Sequence, residues 1–231
     1  VLVFLICAAM ANAAPSAQTS AQSPASSSSS SKQGKKPAAP ADSGIDSGSV
    51  TNGVYRNKTL GLTCTIPPGW VLRTDEMNTR DSQKKEEERD KADAAKGSPA
   101  PASSEGAKVL LAGFSRPPEA KGEDVNASIL IVAENAAAYP GLKDAAQYFG
   151  PLIEVAKAQG FTLDEDPYDI AIGTRTLVRG DFHKDVGSRV MRQSTLAMLA
   201  HGYAISITVI GGTDDEVEDL VDGFSFSTSA K

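Results

Sequence analysis

The run from Gly202 to Phe226 restricts this chain more than any other stretch. Within Tyr203 to Ile210, Ile205, Ile207 and Val209 fall on one face, and Ala204, Ser206, Thr208 and Ile210 on the other. That period of two, rich in β-branched residues, predicts a strand. Gly211-Gly212 tolerates positive φ and ends it. Thr213 or Asp214 is placed to cap a helix, with Glu216 three residues after Thr213 as in a capping box. Val217, Leu220 and Val221 then form one apolar stripe. Asp214, Asp215 and Glu216 suit the positive end of the helix dipole. Gly223 is positioned as the residue just past the helix, before a last strand Phe224-Ser225-Phe226.

The upstream chain supplies a sheet to cover that apolar face. Short strands are predicted at Val54–Asn57, Leu60–Ile66 and Val71–Arg73, and longer ones at Lys108–Phe114 and Ala127–Glu134. The longest helix is expected over Leu142–Gln159, kinked or split at Pro151 and ended by Gly160. Strands return at Tyr168–Ile172, Thr174–His183 and Arg189–Leu199, with a tight turn at Ala200-His201-Gly202. Strands outnumber helices and short turns join the late ones. The expected class is α+β, an antiparallel β-sheet flanked by helices.

Two local patterns carry a resemblance. Leu60-Gly61-Leu62-Thr63 leads into Ile66-Pro67-Pro68-Gly69-Trp70, an extended segment that ends in Pro-x-Gly-Trp. The closing strand, Gly-Gly turn, acidic helix and Phe-Ser-Phe follow in the matching order. Together they resemble the Mog1/PsbP-like family and its bacterial relatives of unknown function, over roughly residues 54–228. The resemblance implies that fold, and members that mostly act through protein partners. It brings no functional residues with it, because the pattern is one of fold.

Outside that region the composition changes. Val1–Met10 is an apolar run too short to span a bilayer, and Ala11-Asn12-Ala13 reads as a small-x-small cleavage site. Residues 1–13 are therefore expected to be a secretory signal peptide whose basic n-region is missing, and the chain to be exported, periplasmic or secreted. Lipidation at Cys7 would instead make a surface-tethered structural lipoprotein, but Ile6 is larger than the residue that normally precedes a lipidated Cys. Residues 14–50 are Ala, Ser, Pro, Gln and Gly with almost no large apolar side chain, which predicts a disordered leader. Residues 77–106 hold a charged run, Lys84 to Asp93, and a Gly/Ser/Pro/Ala-rich stretch. They are expected to be a disordered surface insertion, with a partner-binding or lid element as its functional reading. Once Cys7 leaves, Cys64 stands alone and is expected to be buried and inert.

Chemistry is sparse. There is no Walker A loop, no Gly-x-Gly-x-x-Gly after a strand, no Cys-x-x-Cys and no His-Glu-x-x-His. No cofactor is expected. Asp181, His183 and Asp185 alternate on one strand face and are weak metal candidates. Asp181 and His183 with a serine are also the residues from which a hydrolase site would be built. Arg175, Arg179, Arg189 and Arg192 are the binding candidates, as a cluster for an acidic partner, against ordinary cross-strand pairing with Asp181 and Asp185. Net charge of −6 argues against nucleic acid as the main partner. The expected function is a non-enzymatic binding or assembly-accessory module acting through a protein partner, with no transmembrane segment in the mature chain.

Overall fold

The computed structural model describes residues 44–80, 107–120, 122 and 124–227. The predicted signal peptide, Cys7, most of the predicted leader and residues 81–106 of the predicted insertion lie outside the described residues.

The chain builds two antiparallel sheets packed face to face. The smaller holds β1 (Ser49–Thr51), β2 (Val54–Asn57), β3 (Leu62–Thr65) and β12 (Phe224–Phe226), in that order. The larger runs β4 (Val71–Leu72), β5 (Lys108–Phe114), β6 (Ser128–Asn135), β11 (Tyr203–Gly211), β10 (Arg189–Ala200), β9 (Arg175–Val186) and β7 (Thr162–Leu163). A further strand, β8 (Tyr168–Ile172), pairs with β9 beside β7. Residues 74–80 are helical and form α1. The other helices are α2 (Ala145–Ala158) and α3 (Asp214–Asp222). The fold is α+β, with every strand pair antiparallel.

Residue parity sorts the core. Ile205, Ile207 and Val209 point with Ile129, Ile131, Leu196 and Leu177 toward the small sheet and α3. The other face of the same strands meets α2 through Tyr148, Phe149, Leu152 and Ala156. Near α1 that second face is covered by Met77 over Val109, Leu130 and Val132. A bulge between Val109 and Leu111 turns both Leu110 and Leu111 to the small-sheet side.

The punctuation residues act locally. Thr213 caps α3, its hydroxyl accepting from the Glu216 N–H at 3.1 Å, while Glu216 accepts from the Gly212 N–H at 2.7 Å. α2 ends in a Schellman motif: Gly160 (φ +86°) donates to the Lys157 carbonyl, and Phe161 to that of Ala156. Two expectations change. Pro151 does not split α2, which runs through it as one element. Gly223 keeps right-handed φ, so its small size matters instead: a Cβ there would lie 3.1 Å from the Leu220 carbonyl oxygen.

The domain begins earlier than its composition predicts. Ile45 is buried in the core, and β1 falls across the predicted leader boundary at residue 50. Side-chain bonds hold this segment. Asn57 donates to the Asp46 carbonyl at 2.6 Å, Tyr55 to that of Ser47 at 3.0 Å and Lys108 to that of Ile45 at 2.9 Å. One buried Ile and borrowed hydrogen bonds are enough to order a stretch that has no core of its own. Likewise, residues 77–80 of the predicted insertion belong to α1, with Asn78 bonded in both directions to the Val109 backbone.

Candidate functional site

The two sides of the sandwich are finished differently. On one side the turn between β8 and β9 closes over β12. Gly173, at φ +59°, sits against the Phe226 carbonyl, which also accepts from the Thr174 N–H. A Cβ at Gly173 would overlap that carbonyl oxygen. On the other side β1 and β4 are both edge strands with no strand paired beyond them among the described residues, and Lys108 of β5 reaches across to the Ile45 carbonyl ahead of β1.

That open seam is a cleft of about 450 Å³. Its walls are the β1 segment, Leu72, the start of α1 and Val109 to Leu111. Val50 pairs with Tyr55 and so shares its inward face. Leu72 pairs with Gly113 and lies beside Trp70 on the face toward the small sheet. Both are core-facing by register, yet Val50 is 39% exposed and Leu72 41% exposed. Uncovered apolar side chains on the inner faces of both layers mark an unfilled end of the core.

Sequence reasoning missed this site, although its signal was present. Val50-Thr51-Asn52-Gly53-Val54-Tyr55 is an Asn-Gly turn between apolar residues, a strong local hairpin pattern. Asn52 (φ +52°) and Gly53 (φ +72°) take the two positive φ values that such a turn needs. Trp70 ends the next turn, Pro67 to Trp70, and packs partly buried against the core. Gly69 holds φ +84° and the Trp70 N–H reaches the Pro67 carbonyl.

The arginine candidates do not form one cluster. Arg175, Arg179 and Arg192 share the face toward α3, but Arg189 has the parity of Ala197 and faces the α2 side, where it pairs with Asp124 at 3.0 Å. Arg179, only 8% exposed, bonds Asp181 through Nε at 3.0 and 3.1 Å and grips Glu218 of α3 with both terminal nitrogens. Burial works against its charge, but Glu218 and Asp181 hold the guanidinium above its usual pKa. Arg192 reaches Asp214 at 3.3 Å and Asp164 at 3.9 Å. Arg175 is exposed and makes no ion pair among the described residues. Pairing within the chain therefore accounts for Arg179, Arg189 and Arg192.

The metal and hydrolase candidates are engaged in the same way. The strand continues to Val186, so Asp181, His183 and Asp185 do share a face. But Asp181 receives Arg179 and the Tyr168 hydroxyl at 2.8 Å, and His183 Nδ1 contacts Asp164. No group of His, Cys, Asp and Glu suited to a metal occurs among the described residues. Ser194 lies across from Asp181, but His183 lies across from Arg192. Ser194 is 0% exposed and its hydroxyl has no partner. A serine triad needs its hydroxyl on the imidazole and open to substrate, and this placement supplies neither. Cys64 is buried as expected, and burial pushes its thiol up to about 12.

A buried carboxylate on the α2 face has a structural part. Glu134 accepts from the Tyr139 hydroxyl at 2.7 Å and from that of Tyr148. Burial opposes its charge, and these two hydroxyls are among the contacts that hold its carboxyl below the usual range. Tyr148→Phe is expected to cost about 1–2 kcal/mol, measured by urea unfolding at neutral pH. An unchanged midpoint would show that the bond adds nothing.

Comparison with known proteins adds little beyond the fold. No family model matches the chain, and no curated protein does. Among solved structures, the chain is similar to the Saccharomyces cerevisiae Ran-binding protein Mog1p, with a TM-score of 0.38 and 10% identity over 72% of this chain and 90% of that one. It is similar to LpqN, involved in cell envelope biogenesis of Mycobacterium tuberculosis, with a TM-score of 0.34 and 12% identity over 72% and 83%. It is also similar to a Pseudomonas aeruginosa protein of unknown function, with a TM-score of 0.32 and 22% identity over 43% and 67%. At these scores and identities the likenesses carry nothing about a site or a partner. No helix among the described residues is long and apolar enough to cross a membrane.

Proposed function

We propose that this chain is an exported, non-enzymatic binding module of Mog1/PsbP-like type that acts through a protein partner held at the open seam. The observation that carries the reading is the exposure of Val50 and Leu72, two inner-face residues of a sandwich that is closed on its opposite side. The family assignment rests on the Ile-Pro-Pro-Gly-Trp turn and on the order of the closing elements. Export rests on the apolar run and cleavage pattern of residues 1–13.

The test is affinity capture from the source organism's extract. Three baits are compared: the full chain, Leu72→Asp, and a chain lacking residues 81–106. The expected result is a defined protein held in stoichiometric amount by the full chain and lost with Leu72→Asp. Equal capture by the Leu72→Asp bait would move the interface elsewhere. Loss only on deletion of residues 81–106 would assign it to the charged segment. No capture by any bait would remove the protein-partner reading.

A further inference from the structure

Val50 offers three contacts to one space. In the β1–β2 hairpin, Thr51 and Val54 flank a two-residue turn and make the hydrogen-bonded pair. Bonded and non-bonded pairs alternate in an antiparallel ladder, so Val50 and Tyr55 are the non-bonded pair. The Val50 N–H and C=O therefore point away from β2, toward the free edge. Its side chain faces inward with Tyr55, across the cleft from Leu72. A donor, an acceptor and an apolar contact thus meet at the seam.

The charge there is also uneven. Arg73 is satisfied by Glu76 and Glu119, and Glu76 also holds Arg80. Asp75 lines the cleft, is exposed and is in no ion pair among the described residues. One negative charge is left uncompensated in the wall.

We propose that the seam takes an extended segment of the partner protein, added as a strand along β1. An apolar side chain of that segment sits between Val50 and Leu72, and a Lys or Arg meets Asp75. Strand addition uses main-chain bonds for affinity and alternate side chains for selectivity, which are the two things this edge presents. The proposal rests on the protein-partner reading above and specifies the chemistry of the partner at that same site.

The test uses the full chain and a displayed library of random short peptides. Selected peptides are expected to alternate apolar and polar residues, to carry Lys or Arg, and to lack Pro in the paired stretch. Binding should be lost with Leu72→Asp. Asp75→Asn should weaken it by about two- to five-fold, the range of a single exposed ion pair. Val50→Pro removes one outward N–H and no hairpin bond, so it should reduce binding at least about ten-fold with little change in stability, while Val50→Thr retains binding. Amide exchange at Val50 should slow in the complex.

Peptides that bind equally to Val50→Pro and leave Val50 exchange unchanged would overturn strand addition. A concentration-dependent dimer, abolished by Leu72→Asp, would assign the seam to a second copy and overturn it too. The two readings fail separately. If a protein is captured in a Leu72-dependent way but no strand-forming peptide is selected, strand addition falls and the partner reading stands. If Leu72→Asp captures the same protein undiminished, the partner site itself has moved.

Discussion

Phe149→Ala is expected to destabilise the fold by about 3–5 kcal/mol. Phe149 is fully buried and lies on the inner stripe of α2 with Tyr148, Leu152 and Ala156. Its ring lies directly over Gly180 of β9, where an added Cβ would be 2.5 Å from the ring edge. The glycine makes room for the ring, and the ring seals α2 to the sheet. Removing the ring loses its transfer energy and leaves a void over a residue with no side chain to fill it. With total stabilities of about 5–15 kcal/mol, that loss is a large part of the whole. The converse change, Gly180→Ala, should cost about 1–3 kcal/mol by overpacking. In the Phe149→Ala background the same methyl enters the void, so its cost should vanish or reverse. Urea unfolding of the four proteins checks this, and additive losses would refute the packing argument.

Arg179→Met is expected to cost about 2–3 kcal/mol. The guanidinium joins Asp181 on its own strand to Glu218 on α3, and so ties the helix to the sheet. Without it, two carboxylates face each other, and Asp181 keeps only the Tyr168 hydroxyl. Breaking a fully buried pair costs about 3–5 kcal/mol. The smaller figure applies here because Glu218 is half-exposed and regains water. The triple change Arg179→Met, Asp181→Leu, Glu218→Gln should recover most of the loss, since it leaves no unpaired charge under α3. Thermal unfolding of the single and triple variants separates this from simple loss of packing, which would leave both equally weak.

Local pattern decided much of the fold. The alternation in Tyr203–Ile210 became β11 with its two faces buried against different layers. The capping residues of α3, the Pro-Pro-Gly-Trp turn and the Gly160 stop each acted within a few residues of themselves. Such features are legible because the interaction that creates them is as short as the motif.

What tertiary structure alone decided is partnership. Arg189 and Arg192 differ in strand parity already, but only the tertiary structure gave one Asp124 and the other Asp214 as its acid. His183, weighed with Asp181 for an alternative hydrolase site, met Asp164, which belongs to the loop after β7. Ile45 looked like part of a leader until the small sheet gave it a core to enter. Val50 fell in the predicted leader and Leu72 in a short predicted strand, and only the stacking of one sheet on the other, closed by Gly173 on one side and open on theirs, made them a site. Periodicity says which face a side chain takes. It does not say what lies opposite, because that depends on residues brought together from distant parts of the chain.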